Sequence, residues 1–338
     1  MSDAKTVEWV DGRIRMIDQT RIPEKFVYVV FNDYRQVAKA IKEMVVRGAP
    51  AIGVAAAMGM ALAATSRKRR SKDQFIKHLQ TAGNTLCTSR PTARNLSWAV
   101  ERILRKAQAT SGGVQEIARE VVDEAQKIAR EDVDANRKIG EFGSSLIKDN
   151  DTVLTHCNTG TFATVSYGTA LAPIRTAFKQ GKNVHVIATE TRPRLQGAKL
   201  TTFELLSDKI PVTLIVDGAV GYVMKRGMVQ ETIVGADRIT PEVVANKVGT
   251  YLIALAAHAN QVPFYVAAPS STFDLNGKDA VEIEERDAHE VTHIAGKRIP
   301  PRGVPVFNPA FDITPVELVT GFITENGVLR PEDLGDAA

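Results

Sequence analysis

The sequence predicts an α/β protein with two parts: a small N-terminal antiparallel sheet plus helices, then a Rossmann-like parallel sheet with helices on both faces. Three observations lead to this prediction. A hairpin pattern opens the chain, helical periodicity follows to about residue 140, and short apolar strands alternate with helical segments from Asp151 onward. With 338 residues and 44% hydrophobic side chains, the chain can build two packed cores, which we expect in residues 1–140 and 141–338.

The first part opens with a hairpin. Two runs of alternating polar and apolar residues, Val7–Val10 and Arg13–Ile17, flank Asp11 and Gly12, a dipeptide suited to a two-residue turn. A third strand is predicted over residues 26–31. These three strands form the predicted antiparallel sheet.

Helices fill the rest of the first part. Asp33 is placed to cap a helix over about residues 34–46. Residues 49–64 are rich in Ala, Gly and Met, but this run is too short and too weakly hydrophobic for a membrane span. We therefore expect it to be a helix buried in the core.

The second part has the rhythm of a parallel sheet. Its strands are apolar on both alternations, which is typical of strands covered on both faces by helices. Ligands of such open sheets bind beyond the carboxyl ends of the strands, where polar residues gather in this chain. The predicted strands are 153–156, 184–188, 212–216, 232–235 and 264–267, and the polar residues that follow them include His156, Cys157, Asn158, Glu190, Arg192, Asp217, Asp237, Arg238, Ser270 and Ser271.

Charge and cysteine content exclude some classes of protein. The 43 basic and 39 acidic residues leave a net charge of +4, without the basic excess typical of nucleic-acid-binding proteins. Two cysteines cannot build a disulfide framework, and the start of the chain lacks the pattern of a secretory leader. We therefore expect a cytoplasmic protein with two free thiols that binds neither nucleic acid nor membranes.

Cys157 is a candidate reactive thiol. It follows a predicted buried strand and precedes a small polar turn that we expect to open a helix, whose amide groups and dipole would lower a thiol pKa or hold an anion. The alternative is that Cys157 is a small apolar filler of the core, as cysteine often is. Position alone leaves both interpretations open, and Cys87 lacks such a setting.

Asp237 is a candidate acid. Its upstream neighbours are small and apolar, so an ionised carboxylate is costly there unless it is paired. Either it stays protonated and donates a proton, or Arg238, Lys247 or a backbone amide satisfies it as a structural anchor. We expect Asn246 and Lys247 to begin the next helix and to face the same crevice.

Seven motifs in order, within a match from about residue 7 to residue 330, resemble the methylthioribose-1-phosphate isomerase family. The resemblance implies an aldose–ketose isomerase of methionine salvage that converts 5-methylthioribose 1-phosphate to 5-methylthioribulose 1-phosphate. It implies a homodimer and no metal or organic cofactor. The motifs are RGAPAIG at 47–53, SRPTARNL at 89–96, HCNTG at 156–160, ETRPRLQGA at 190–198, GADRI at 235–239, ANKVGT at 245–250 and NPAFDITP at 308–315.

The resemblance assigns roles to single residues. Cys157 and Asp237 match the catalytic cysteine and acid of the family. The positions that match its substrate-binding residues are Arg47, Gly48, Ala49, Arg90, Gln196, Asn246 and Lys247. Arg47 and Arg90 are suited to clamp a phosphate dianion, in a site that we expect between the domains. The alternative for Arg47 is a cation at a helix C-terminus before a Gly stop.

Other members of the same fold remain alternatives. Lys199 stands where Arg is common in the family, which is a peripheral change. The loop between Asp237 and Asn246 is shorter than in most of the family and lacks its usual Asn-Gly, which affects the expected group at C5. Ribose 1,5-bisphosphate or 5-deoxyribose 1-phosphate is therefore an alternative substrate. A regulatory scaffold, like the subunits of the translation-initiation exchange factor, is the non-enzymatic alternative, although such subunits generally lack the paired cysteine and acid.

Overall fold

The computed structural model describes residues 1, 4–66, 71–91, 93–275 and 282–335. The chain divides into two compact units. Unit 1 contains Met1–Lys138 and Thr159–Ala172, and unit 2 contains Ile139–Asn158 and Pro173–Ala338.

Unit 1 contains the predicted antiparallel sheet. Strands β1 (Val7–Val10), β2 (Arg13–Ile17) and β3 (Tyr28–Phe31) pair in that order, and both connections are antiparallel. Asp11 and Gly12 have φ of +49° and +75°, as a tight hairpin turn between two strands requires. The hairpin prediction is confirmed, and the third strand begins two residues later than expected.

The helices of unit 1 surround a small-residue helix. They are α1 (Tyr34–Lys42), α2 (Ala49–Thr65), α3 (Lys72–Ser89), α4 (Arg94–Ala109) and α5 (Val114–Ser144), whose last residues belong to unit 2. Asp33 caps α1, because its carboxylate accepts from the amide of Arg35. All but two residues of α2 are buried, and it packs against α1, α3 and α4, as expected of a core helix. Among the described helices, none combines the length and the apolar character that crossing a membrane requires.

Unit 2 alternates strands and helices. The strands are β4 (Thr152–Thr155), β5 (His185–Thr189), β6 (Val212–Ile215), β7 (Glu231–Val234), β8 (Arg238–Ile239), β9 (Val243–Lys247), β10 (Phe264–Ala267), β11 (His293–Ile294), β12 (Lys297–Arg298), β13 (Phe311–Pro315), β14 (Gly321–Thr324) and β15 (Gly327–Leu329). The helices are α6 (Leu171–Lys179), which begins in unit 1, α7 (Thr202–Ser207), α8 (Val220–Lys225), α9 (Thr250–Ala259) and α10 (Ala288–Thr292).

The large sheet of unit 2 positions the candidate site. Within the described residues its strand order is β15-β14-β10-β7-β4-β5-β6, and every pair is parallel except β14 with β15. The chain runs outward from β4 through β5 to β6 and then returns to place β7 on the other side of β4. This reversal makes the carboxyl ends of β4 and β7 the switch point at which open α/β sheets bind ligands.

Two predictions about unit 2 are wrong. Strand β6 is at the edge of the sheet and exposes Thr213 and Leu214, so it is not buried on both faces. Asn246 and Lys247 do not begin a helix: they end β9, which pairs with β13 in a separate antiparallel sheet of order β13-β9-β8. The strand partner of Asn246 is Asp312, 66 residues downstream, and local sequence cannot show such a partner.

Candidate functional site

Cys157 and Asp237 follow adjacent strands at the switch point of the large sheet. Cys157 comes two residues after β4, and Asp237 comes three residues after β7. The register of β4 and β7 pairs Leu154 with Thr232, so the ends of the two strands lie within one residue of each other along the sheet. Cys157 is buried and Asp237 is partly exposed.

The backbone of Cys157 is held in an unusual conformation. Its φ is +60°, in the left-handed region that non-glycine residues seldom adopt. Its amide donates to Oγ1 of Thr191 at 2.9 Å, and its carbonyl accepts from Oγ1 of Thr201 at 2.6 Å. Thr191, itself at φ +63°, is anchored in turn because its amide donates to Asp217 at 2.8 Å. Such strained backbone concentrates at functional sites, where surrounding contacts maintain it.

The residue after Cys157 is fixed by a buried ionic network. Asn158 Nδ2 donates to Glu204 Oε1 at 2.8 Å and lies 3.2 Å from Thr201 Oγ1. The other oxygen of Glu204 pairs with Arg175 at 2.6 Å, and both of these charged side chains are buried. The network keeps the turn that carries Cys157 in one conformation.

The helix expected directly after Cys157 does not form. A single 3-10 turn covers Thr161–Ala163, and the next α-helix, α6, begins at Leu171. The polar side chain at Asn158 bonds to residues far along the chain instead of capping a helix. The proposed effect of a helix dipole on the Cys157 thiol is therefore wrong.

The structure shows which of the expected partners of Asp237 are engaged elsewhere. Arg238, one candidate counter-ion, pairs with Asp274 at 2.7 Å. The amide of Asp237 donates to the carbonyl of Ala245 at 2.9 Å, which ties the residue to the strand that ends in Asn246 and Lys247. Asp237 is thus held next to β9 through its main chain.

Asn246 and Lys247 are positioned by β13 and by the start of α9. Asn246 is buried, and its Nδ2 donates to Oγ1 of Thr250 at 3.1 Å. Lys247 Nζ donates to the carbonyl of Ala310 at 2.5 Å and lies 4.6 Å from the centre of the Phe311 ring. Both residues are therefore held by elements outside β9.

Asp312 anchors the segment after Lys247, a role that the sequence did not reveal. Its carboxylate accepts from the amides of Gly249 at 2.6 Å and Tyr251 at 3.2 Å. Burial raises the pKa of Asp312 to about 6, against the opposing effect of these amides. The motif at 308–315 marked this segment as important, but it does not show which backbone amides the carboxylate of Asp312 accepts from.

Gln196 presents a buried acceptor. Within the described part of the chain, no donor lies within hydrogen-bond distance of its Oε1. The next residue, Gly197, approaches the backbone of β5 so closely that an added Cβ would lie 1.8 Å from the carbonyl oxygen of Thr189. A buried acceptor without a donor costs about 1–3 kcal/mol, and a sugar hydroxyl is the kind of group that satisfies it.

Two of the three cations close to Gln196 already have partners within unit 2. Arg194 Nη1 pairs with Glu290 at 2.7 Å, and the Arg192 guanidinium donates to the carbonyls of Pro193 at 2.7 Å and Val291 at 3.0 Å. Lys199 is exposed. Arg192 and Arg194 therefore bind the segment around α10.

Unit 1 holds Arg47, Gly48 and Ala49 at the N-terminus of α2. Arg47 is buried, and its Nε donates to Gln19 Oε1 at 3.1 Å. It lies five residues beyond the end of α1, so the alternative of a cation at a helix C-terminus is wrong. Gly48 has φ of +91°, and an added Cβ would lie 2.4 Å from Cα of Ala163, so the close approach requires glycine.

Arg90 lies directly after α3, in the same unit. Its amide donates to the carbonyl of Cys87 at 3.3 Å and closes the helix. Thr92 of the same motif lies outside the described residues. The structure thus places the two predicted arginines in unit 1 and Cys157, Gln196, Asp237, Asn246 and Lys247 in unit 2.

Across the described ranges, no group of three or more His, Cys, Asp or Glu side chains has an arrangement that could hold a metal ion. The polar groups that gather after β4, β5, β7 and β9 are hydroxyl, amide, thiol, carboxylate and ammonium groups, a set suited to a polyhydroxylated ligand.

Comparison with known proteins identifies the family. Residues 45–331 match the model of the initiation factor 2 subunit family. The methylthioribose-1-phosphate isomerase of Geobacter metallireducens is 51% identical over 330 residues, covering 96% of this chain and 95% of that protein.

Solved structures give the same result. The 5-methylthioribose 1-phosphate isomerase of Pyrococcus horikoshii OT3 is 42% identical, with a TM-score of 0.91 over 99% of this chain and 96% of that chain. A structure described as translation initiation factor eIF-2B, subunit delta, from A. fulgidus is 47% identical, with a TM-score of 0.86 over 98% and 97% of the two chains.

These matches confirm the predicted fold class and the prediction of an aldose–ketose isomerase. They span nearly the whole chain, so both units are covered. The chain belongs to the initiation factor 2 subunit family and, within it, to the methylthioribose-1-phosphate isomerases.

Proposed function

We propose that this protein converts 5-methylthioribose 1-phosphate to 5-methylthioribulose 1-phosphate, with Cys157 and Asp237 as its catalytic residues. The observation that carries the proposal is the placement of a buried thiol and a carboxyl group after adjacent strands at the switch point of the sheet. The relatives named for this reaction support the choice of substrate.

The substrate dictates what the two groups must do. The ring of an ordinary aldose opens when its anomeric hydroxyl loses a proton. In this substrate the anomeric oxygen carries the phosphate, so that route is closed. Asp237, as a neutral carboxylic acid, gives a proton to the ring oxygen while the bond from C1 to that oxygen breaks. The hydroxyl on C2 later loses its proton as the ketone forms, and that proton restores the acid.

Cys157 acts at the carbon atoms. One hydrogen must move from C2 to C1, either as a proton through an enediol-type intermediate or as a hydride. In the first route the Cys157 sulfur carries the proton, and in the second it stabilises the transition state beside C1 and C2. Substrate deuterated at C2 separates the routes, since a hydride shift retains the label in water and proton transfer exchanges it.

The other matched residues bind the substrate in this proposal. Arg47 and Arg90 hold the phosphate dianion together with the main chain of Gly48 and Ala49, because the first turn of a helix such as α2 leaves its amides without partners from that helix. Gln196, Asn246 and Lys247 bind the sugar oxygens. The division of roles between residues 1–140 and 141–338 is part of the proposal.

The group at C5 is methylthio rather than phosphate. A second phosphate needs its own cations, since burying two more charges without partners is prohibitive. Arg192 and Arg194, which follow β5 close to Gln196, already bind Val291 and Glu290. A bisphosphate would have to break those contacts, so an apolar substituent fits better.

An assay of the purified protein tests the proposal. The protein is treated with a chelator and mixed with 5-methylthioribose 1-phosphate, and the product is identified by 13C NMR. A ketone carbon at C2 is expected. No conversion of either this substrate or ribose 1,5-bisphosphate would contradict the enzyme assignment and favour a regulatory scaffold, in keeping with the relative described as an initiation factor subunit.

We further propose that the protein is a cytoplasmic homodimer that pairs through unit 2. Strand β6 ends the large sheet, and its edge and neighbouring segments expose apolar side chains, which are typical of protein interfaces. These residues are Leu206, Leu214, Val216 and Tyr222. Light scattering at micromolar concentration should give the mass of two chains, and Leu214→Glu should shift it towards one. A wild-type mass of one chain would refute the dimer.

A further inference from the structure

His156, the residue before Cys157, has both ring nitrogens engaged. It is buried, with Nδ1 at 2.6 Å from Thr189 Oγ1 and Nε2 at 2.9 Å from the carbonyl oxygen of Val248. A carbonyl only accepts, so Nε2 carries the proton. In the neutral ring Nδ1 is then an acceptor, and the hydroxyl of Thr189 donates to it. The two partners therefore specify one tautomer.

The surroundings also oppose a charge on His156. Burial lowers the pKa of His156 to about 4, and the ammonium of Lys247 acts in the same direction. The bond to the Val248 carbonyl and the carboxylate of Asp217 act in the opposite direction, but burial outweighs both. The carboxylate of Asp217 also already accepts from the amides of Thr191 and Arg192 at 2.8 and 2.7 Å. The imidazole is thus neutral at physiological pH.

The same imidazole connects two parts of the site. Val248 directly follows Lys247, so the bond from Nε2 ties the end of β4 to the segment that carries Asn246 and Lys247. Gly249 packs on the ring, because a Cβ added there would lie 3.0 Å from Cε1 of His156. A side chain at this position would crowd the imidazole, and the φ of +106° at Gly249 also disfavours one.

A line of hydroxyl groups leads from the ring back to Cys157. Thr189 Oγ1, which donates to His156, lies 3.2 Å from Oγ1 of Thr191. That second hydroxyl accepts the amide of Cys157 at 2.9 Å. The imidazole, the two hydroxyls and the Cys157 amide are therefore joined in one closed hydrogen-bonded network around the turn.

We propose that His156 is a positioning residue: a neutral imidazole, fixed as the Nε2–H tautomer by Val248 and Thr189, that sets Cys157 in place against the segment carrying Asn246 and Lys247. The assignment of those three residues rests on the proposed function. His156 is not the general base of a Cys–His pair, because neither of its nitrogens is available to take the thiol proton.

The first test measures the tautomer and needs no substrate. 15N NMR of protein labelled at its six histidines, with the His156 signal assigned by its loss in His156→Gln, should show one neutral Nε2–H ring down to about pH 5. An Nδ1–H tautomer, or titration of His156 near the ordinary value of about 6.5, would overturn the proposal even if the isomerase assignment held.

The second test separates positioning from acid–base catalysis. The amide nitrogen of Gln can reach the place of Nε2 and donate to Val248, so His156→Gln should keep kcat within about tenfold and leave the pH–rate profile unchanged. His156→Ala should lower kcat about 10²-fold, the effect expected of reacting groups displaced by about 1 Å. His258→Gln is the exposed control.

Two results of the second test would contradict the proposal. Loss of one limb of the pH–rate profile in His156→Gln would make His156 an acid or base. Unaltered kcat in a folded His156→Ala variant would mean that the imidazole positions nothing that the reaction needs. If the alanine variant does not fold, the glutamine variant and the NMR measurement still decide.

Discussion

Nη2 of Arg175 lies 2.6 Å from Oε2 of Glu204, and the two side chains are 1% and 0% exposed. The other oxygen of Glu204 accepts from Asn158, next to Cys157. Arg175 Nε also lies 2.8 Å from Asp208 Oδ2, so removing the charge of Glu204 leaves Arg175 with one carboxylate partner instead of two. The buried ion pair therefore stabilises both the fold and the turn that carries Cys157.

Glu204→Gln should accordingly lower the free energy of unfolding by about 1.5–3 kcal/mol, measured by urea denaturation, because a charge-assisted hydrogen bond to Arg175 is lost while Asp208 still compensates part of its charge. The matched control is Glu43→Gln, which breaks an exposed ion pair with Lys39 at 3.7 Å and should cost about 1 kcal/mol or less. Equal effects of the two substitutions would show that the buried pair does not stabilise the turn.

Asp132 should make the stability depend on pH. Burial raises its pKa to about 7, and its carboxylate accepts from the amide of Val165 at 2.7 Å. Between about pH 4, where an unfolded Asp titrates, and pH 7, the native state binds one more proton than the unfolded state. The free energy of unfolding therefore falls as pH rises through this range, by a few kcal/mol.

Asp132→Asn should remove that part of the pH dependence and be more stable than the wild type at pH 8. The asparagine oxygen can still accept from Val165, and the substitution leaves no charge to bury. Urea unfolding at pH 5, 6, 7 and 8 checks this, with the exposed Asp134→Asn as control. Parallel profiles for the wild type and Asp132→Asn would mean that another group carries the dependence.

Gly48→Ala should destabilise unit 1 by about 3 kcal/mol or more, because it adds a clash with Ala163 to the cost of a left-handed backbone. Gly12→Ala has a similar φ of +75° but open space around the added carbon, so it should cost about 1–2 kcal/mol. Thermal unfolding of both variants compares the two costs. Equal losses would show that backbone conformation alone explains the glycine at position 48.

Substrate choice should follow the C5 group. We expect kcat/KM for 5-methylthioribose 1-phosphate to exceed that for ribose 1,5-bisphosphate by more than tenfold, which is about 1.4 kcal/mol of transition-state binding. The measurement is made at several salt concentrations, because a second ionic contact would weaken steeply with salt. A bisphosphate preferred tenfold, with steep salt dependence, would mean that Arg192 or Arg194 is released to bind it.

Features set by local patterns were predictable from the sequence. The hairpin turn at Asp11 and Gly12, the cap at Asp33 and the small-residue helix α2 depend on neighbours within a few positions, and all three were confirmed. The parallel strands were predictable because burial on both faces leaves an apolar run. Such a run does not reveal the edge of a sheet, which is why β6 was wrongly expected to be buried.

The missed features depend on residues far along the chain. Asn246 was assigned to a helix because its strand partner, Asp312, is 66 positions away. Asn158 was expected to open a helix, but Glu204, 46 positions away, accepts from its side chain. The anchoring roles of His156 and Thr191 were missed for the same reason, since nothing next to a histidine or threonine in sequence names its distant hydrogen-bond partner.

In the proposed function, Cys157 and Asp237 carry out the isomerisation. Cys157→Ser and Asp237→Asn are nearly isosteric, so each should fold as the wild type does yet lose about 10² to 10⁴ in turnover, the range for a positioned acid or base. Cys87→Ser is the control, since Cys87 lies on α3 and burial raises its thiol pKa.

The decisive measurement is kcat of these three variants on 5-methylthioribose 1-phosphate, with urea unfolding of each to establish its fold. We expect losses of about 10² or more for Cys157→Ser and Asp237→Asn and a change of less than about threefold for Cys87→Ser. A folded Asp237→Asn variant with wild-type turnover would contradict the proposed proton transfer. Failure of this variant to fold would instead make Asp237 a structural anchor.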